Sequence, residues 1–375
     1  MSDGREPRLR SHRIQPSNPP VTIRIGILGC GAIARVAHLP SLARTPGARV
    51  VALADPEPSS LAEARHLAPD ARAVADYGAV LDMPDVDAVV IALPPALHAE
   101  AAIATIERGR HLYIEKPLAT NLVDARRVVA ASSDAARVGS GRMAPIAMMG
   151  FNYRCNRLVR QARHAIASNA IGRPVAVRTT FATATRDMPN WKRQRPAGGG
   201  VLLNLAVHHI DLVRFLMAAD VVTVSAEVRS MNSEQDTALL QMALSTGVMA
   251  QSLFSLSAVD EDRIDVYGSA GKLTIDRYRS LRVETLPAAA QGALALTAAR
   301  VAGELRALPY ALERMRAPLK DPSFSAALHT FVHAVRDGTD ASPNVYDGLH
   351  AAAVVDAAER STRTGRVVTV DDGHV

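Results

Sequence analysis

The chain has 375 residues, 48% of them hydrophobic and only 4% aromatic, with a formal net charge of +6 and a pI of about 9.6. This length predicts two domains, and the apolar share predicts a full globular core. Its two cysteines, Cys30 and Cys155, make neither a disulfide framework nor a zinc pattern, and no unbroken run of about eighteen apolar residues offers a membrane span.

Residues 1–20 crowd Arg5, Arg8, Arg10 and Arg13 beside Pro7, Pro16, Pro19 and Pro20. Such a segment has little apolar surface to bury and is expected to be a disordered tail. It has no aromatic interleaving, so nucleic acid is not an expected partner. It has no apolar h-region, so it is not read as a secretion signal. The expected location is the cytoplasm, with no membrane partner.

From Val21 to about Pro145, strand and helix alternate. Thr22–Leu28 reads as a largely buried strand. Ala32–Ala43 reads as a helix bent or interrupted near Pro40. Arg49–Ala54 is the second strand, and Val86–Leu93 the third, ended by Pro94 and Pro95. Ala96–Arg108 is helical and Gly109 ends it. His111–Ile114 is the fourth strand and Leu122–Ala131 the next helix. The alternation predicts an α/β fold, with a doubly wound parallel sheet over residues 21–147.

Gly29-Cys30-Gly31-Ala32-Ile33-Ala34 joins the first strand to the first helix. This is the GxGxxA form of a dinucleotide fingerprint. Gly29 permits the tight turn, Gly31 lets the backbone approach a pyrophosphate, and Ala34 keeps helix and strand close. The helix start at Ala32 and Ile33 would face the phosphates. Asp55 ends the second strand, where a carboxylate accepts from the adenosine ribose hydroxyls. No Arg follows at 56–59 to meet a 2′-phosphate, so NAD is expected over NADP.

Glu115-Lys116-Pro117 follows the fourth strand, at the carboxyl edge where ligands bind in such sheets. Pro117 biases Lys116 towards an extended conformation. Lys116 is read either as the group that exchanges a proton with a substrate hydroxyl, its pKa lowered by burial and nearby positive charge, or as a strand-end lysine in a proline turn.

Residues 148–375 form the expected second domain. Gly198–Gly200 break the backbone, and a helical apolar pattern runs on to Asp211. On that helix Asn204 and His208 share a face, while His209 points about 100° away. Asp211 either orients His208 or packs at the domain junction. Pro174–Thr183, Val221–Ser230, Thr237–Leu244, Val248–Ser257 and Ile264–Ile275, with turn signals at Gly268 and Gly271, read as successive strands of a large, mostly antiparallel open sheet. Tyr153 and Arg154 follow the strand entering this domain and are expected to line the cleft. Arg186, Lys192, Arg193 and Arg195 surround Trp191. They either attract a substrate carboxylate or phosphate or form a solvated loop. No His/Cys/Asp arrangement has metal-ligand spacing, and no nucleophilic serine motif is evident.

The ordered set Gly29–Ala34, Asp55, Leu93-Pro94-Pro95 with His98, Glu115-Lys116-Pro117, Gly150-Phe151-Asn152-Tyr153-Arg154, Gly198–Asp211 and Asp347-Gly348-Leu349 resembles the glucose-fructose oxidoreductase / inositol dehydrogenase / rhizopine-catabolism family (Gfo/Idh/MocA). The resemblance runs from about Val21 to the end. It implies an NAD(P)-dependent oxidoreductase acting on CH–OH groups of a sugar, polyol or sugar derivative. It also implies a homodimer or homotetramer built through the exposed face of the second sheet. The family's catalytic lysine falls on Lys116 and its histidine on His208. Asn204 stands where the family often has Asp; Asn cannot ionise, which leaves Lys116 or His208 as the proton acceptor. The implied cofactor set adds Leu93, Pro94, His98 and Glu115, with His98 either beside the nicotinamide or capping its helix. The implied substrate set is Tyr153, Arg154, Trp191, Asn204 and His208. Asn204 also motivates an alternative, a cofactor-binding sensor without turnover. A second alternative is an NAD-dependent glycosidase or lyase that oxidises transiently. The segment 282–320 is the least family-like and is expected to cover the cleft or to form an oligomer contact.

Overall fold

In the computed structural model, which describes residues 22–138, 144–287, 293–371 and Gly373, every residue of β1 (Ile23–Leu28) except Arg24 is buried. The expected tail at 1–20 lies outside the described residues. A strand buried on both faces must sit inside a sheet covered on both sides. It does: β2 (Ala48–Ala54), β3 (Arg72–Val74), β4 (Ala88–Ile91), β5 (His111–Ile114) and β6 (Ala147–Met149) join it in parallel, in the order β3-β2-β1-β4-β5-β6. The strand order reverses beside β1, which opens a crevice at the carboxyl ends of β1 and β4.

The first helix is interrupted as Pro40 requires. A π turn at Ala34–His38, in which Leu39 N–H donates to Ala34 O, runs into α1 (Leu39–Leu42). The wider turn falls just ahead of the proline, which has no N–H to give. The chain then forms α2 (Pro58–Leu67), α3 (Tyr77–Leu81), α4 (His98–Glu107) and α5 (Leu122–Val138). The sequence pattern did not reveal α2, β3 or α3. They are short, and α2 buries only Ala64, so no apolar period marks it.

The rest of the chain builds α6 (Arg157–Ala167), β7 (Pro174–Ala182), α7 (Asn190–Arg193), α8 (Val207–Met217), β8 (Val221–Arg229), β9 (Thr237–Leu244), β10 (Met249–Ser255), β11 (Glu261–Gly268), β12 (Gly271–Asp276), β13 (Glu284–Pro287), α9 (Ala293–Arg316), α10 (Ser323–Asp337), α11 (Val345–Thr364) and β14 (Val368–Thr369). Its eight-stranded sheet has the order β13-β12-β11-β7-β10-β9-β8-β14, antiparallel except where β7 runs parallel to β10. Burial alternates along β9 and β10, so one face meets α6, α8 and α11 while Leu239, Met249 and Leu253 stay exposed on the other. α10 returns to the first sheet, where Ala327, Leu328, Phe331 and Val332 share a core with Ile25, Ile27 and Tyr113. The segment Arg195–Met217 is long and apolar enough to cross a membrane, yet 83% of its most apolar window is buried in the fold. Its helical part packs on β7 and β10 of the second sheet.

Candidate active site

The fingerprint turn is built around an open space. Gly29 has φ 92, and a Cβ there would stand 2.6 Å from Ala92 O, so only glycine fits. A Cβ on Gly31 would meet nothing within 4 Å. The Asp55 carboxylate is drawn onto this turn: Cys30 N–H donates to Oδ2 at 2.7 Å and Glu57 N–H to Oδ1 at 2.9 Å. Free space above Gly31 beside an anchored carboxylate suits a dinucleotide, with the pyrophosphate against the backbone and a ribose at Asp55. The Cys30 thiol lies under the turn, where burial first and the Asp55 charge second push its pKa up to about 12.

Two loops meet at His98. Its Nδ1 lies 2.6 Å from Pro117 O and its Nε2 2.8 Å from Leu93 O. Burial holds its pKa below the usual value. His98 is the first residue of α4 and makes no side-chain cap, which corrects the capping expectation. It sits between the loop after β4 and the loop after β5 instead, its one N–H donating to one of the two carbonyls. Glu115 turns inward: Oε1 stands 3.1 Å from Nε2 of the fully buried His38, and Oε2 accepts from Lys116 N–H at 3.2 Å. Burial alone would raise the Glu115 pKa; His38 and Lys116 outweigh it and hold it low. The sequence pattern missed His38. Its signal was a lone histidine on the buried face of the first helix.

The three glycines let the second sheet's helix approach these loops. Gly198 has φ 98, and a Cβ there would stand 2.6 Å from Pro95 Cβ. The helix then starts with a π turn, Leu202–Ala206, and continues as α8. Asn204 is the one residue from 201 to 213 that is not buried. Lys116 Nζ donates to Asn204 O at 2.8 Å. Burial, and then the Lys192 charge, lower the Lys116 pKa to about 8. One turn on, His208 stacks on Tyr153, with ring centroids 4.2 Å apart and planes 17° from parallel. Burial, reinforced by Lys116, Arg277 and His209, keeps His208 neutral. Its Nδ1 is buried with no hydrogen-bond partner among the described residues.

Other candidates are held elsewhere. His209 points away as expected, its Nε2 3.1 Å from Asp262 Oδ1 with both side chains fully buried. Arg154 does not line the cleft. It is buried against Asp211 at 2.9 and 2.5 Å and against Asp347 at 3.2 and 2.8 Å, tying the 152–155 turn to α8 and α11. Asp211 is thereby committed to packing and does not orient His208; burial pushes its pKa up to about 6 against the pull of Arg154. Around Trp191, Arg186 pairs with Asp260, Arg193 with Asp187 and Arg195 with Glu359. Lys192 lies 5.3 Å over the Trp191 ring and, among the described residues, is the cation of these four without a carboxylate partner. Among the described residues no three His, Cys, Asp or Glu side chains gather as a metal site.

Residues 23–141 match the model of an oxidoreductase family with an NAD-binding Rossmann fold, and residues 159–274 match the GFO/IDH/MocA C-terminal domain. The chain is 27% identical over 359 residues to the myo-inositol 2-dehydrogenase of Thermotoga maritima, spanning 93% of this chain and 99% of that protein. It is 31% identical over 260 residues to the 1,5-anhydro-D-fructose reductase of Ensifer adhaerens, spanning 67% and 74%. Its fold is similar to that of the WlbA dehydrogenase from Bordetella pertussis, solved with NADH and UDP-GlcNAcA: the TM-score is 0.79 at 23% identity, over 94% of this chain and 98% of that one.

Proposed function

This chain belongs to the GFO/IDH/MocA family of NAD-binding oxidoreductases, and on that premise we propose that it oxidises a secondary hydroxyl of a sugar, polyol or sugar derivative, or reduces the matching ketone. One observation carries the reading: Lys116 Nζ, at the carboxyl end of β5, reaches the helix start at Asn204 one turn before His208, and its charge acts on the neutral His208 imidazole.

Bound nicotinamide supplies the hydride acceptor or donor. The rest falls to the chain. Gly29, Gly31, Ala32 and Ile33 seat the phosphates, Asp55 takes the ribose hydroxyls, and Leu93 and Pro94 border the nicotinamide end. His98 and Glu115 shape that border from behind and touch no ligand themselves. Asn204 O anchors the Lys116 amine. The free amine takes the hydroxyl proton in oxidation, and the ammonium returns it in reduction. His208 hydrogen-bonds the same oxygen, and the Asn204 amide orients it without ionising. In this division residues 21–147 hold the cofactor, and residues 148–375 hold the substrate and the subunit contacts.

Finer points follow from the same geometry. The unpaired Lys192, beside Lys116 and Trp191, suits a substrate with a carboxylate or phosphate substituent. Tyr153 backs the cleft through His208. The exposed Leu239, Met249 and Leu253 on the second sheet suit a homodimer or homotetramer through that face, and the cytoplasm is the proposed location. The test is a screen of polyols, sugars, uronic acids and sugar nucleotides with NAD and NADP, following absorbance of the reduced cofactor. Turnover of any of these supports the reading. Tight NAD binding with no oxidation or reduction across the screen would overturn it.

A further inference from the structure

We propose that Arg277 is a positioning residue, which presses the Tyr153 ring flat onto His208 and so fixes the imidazole that faces Lys116. Arg277 follows β12 and is only 7% exposed. Its Cζ lies 3.2 Å from the Tyr153 ring centroid. The opposite neighbour of that ring is His208, stacked at 4.2 Å. A guanidinium and an imidazole at these distances would collide on one face, so the Tyr153 ring is sandwiched between them.

The guanidinium is itself held from behind. It donates to Asp262 Oδ2 at 2.5 Å and to Asp321 Oδ2 at 2.7 Å. A buried arginine is costly unless paired, and these two carboxylates pair it. Asp262 also holds His209. The two adjacent histidines of α8 are therefore tied to one guanidinium by different routes, His208 through the Tyr153 ring and His209 through Asp262. Neither contact uses a substrate, so the arrangement stands ready before one binds.

The same geometry sets the charge around His208. The groups facing it are the Lys116 ammonium from the end of β5, Arg277 from behind Tyr153, and His209 on its own helix. Asp262 and Asp321 lie beyond Arg277. Removing the guanidinium frees the ring and leaves Asp262 and Asp321, on the far side of the Tyr153 ring from His208, without the cation that neutralised them. Both changes favour a proton on His208, and a protonated His208 cannot accept a hydrogen bond.

This inference rests on the reading that His208 serves the site, and its test separates the two. The His208 titration would be followed by NMR in the full-length protein, assigned with His208→Gln, and kcat and KM would be measured against pH. Arg277→Gln is expected to raise the His208 midpoint by about one pH unit and to lower kcat more than it raises KM. Tyr153→Leu, which keeps the Asp262 and Asp321 pairs of Arg277, is expected to lower kcat with little change in Tm. It is the variant that decides if Arg277→Gln fails to fold. An unchanged His208 midpoint in folded Arg277→Gln, or unchanged kcat in Tyr153→Leu, would overturn the proposal. A raised midpoint together with full turnover by His208→Gln would uphold the Arg277 contact and instead remove His208 from the mechanism.

Discussion

The Lys116 ammonium donates to the backbone carbonyl of Asn204 at 2.8 Å, joining the end of β5 to the π turn before α8 across 88 positions of sequence. The contact uses the main chain of Asn204, so the Lys116 anchor does not depend on the side chain that departs from the family pattern. Asn204→Asp should therefore leave the anchor in place. It should keep activity within about tenfold while adding a negative charge that raises the Lys116 pKa, which the pH profile of kcat/KM would report as a shift to higher pH.

The pH dependence of the wild type follows from the Lys116 pKa of about 8. Below that value the group is an ammonium and cannot accept a proton. For oxidation, kcat/KM should rise by about tenfold per pH unit up to there and then level; for reduction it should fall on the alkaline side. Lys116→Met should lose about 10²–10⁴-fold in turnover and with it this limb. A Lys116→Met enzyme that keeps both would remove Lys116 from the proton transfer.

Gly31→Val separates fold from cofactor binding. Nothing stands within 4 Å of a Cβ at Gly31, so Tm should be near that of the wild type. The added methyl groups would fill the space a pyrophosphate needs. NAD affinity by calorimetry should fall by about a hundredfold or more, the loss expected from a blocked close approach. Unchanged affinity would place the cofactor elsewhere.

Asp55→Asn removes the charge and keeps one carbonyl oxygen, which can accept from only one of the Cys30 and Glu57 N–H groups. NAD should bind about tenfold more weakly, since hydrogen bonds to a charged partner are worth roughly 1.5–3 kcal/mol and neutral ones less. The preference for NAD over NADP should narrow. Equal affinity of the wild type for the two cofactors would sink the assignment of Asp55.

His208 and His209 should fail differently. His208→Ala should lower turnover while leaving NAD affinity unchanged. His209→Ala empties a fully buried position and removes one partner of Asp262, although Arg277 remains to that carboxylate. Its expected loss is in stability, about 1–3 kcal/mol, seen as a lower Tm with kcat retained below the transition. The reverse pattern would mean that the helix register is misread.

The strands His111–Ile114 and Thr237–Leu244 are readable in the sequence to the residue, the first because its apolar run is short and lies between Gly109 and Pro117, the second because its apolar residues alternate with period two. Gly29 and Gly198 are readable for a similar reason: each marks a place where only a missing side chain allows the approach that the fold makes. Lys116 and His208 stand out in the sequence through their motifs, and their chemical role is the proposal made above. The partner of Arg154 is not. Its carboxylates come from 57 and 193 positions away, and local spacing does not show which charges will neutralise one another once buried. The same holds for Asp211, His38 and Arg277. Local pattern and backbone sterics sufficed for the longer, strongly patterned elements but not for α2, β3 and α3. Tertiary packing alone decided which charged groups were used up in ion pairs, and which, like Lys116 and Lys192, have no carboxylate bound to them among the described residues, because pairing and desolvation exist only after distant segments have come together.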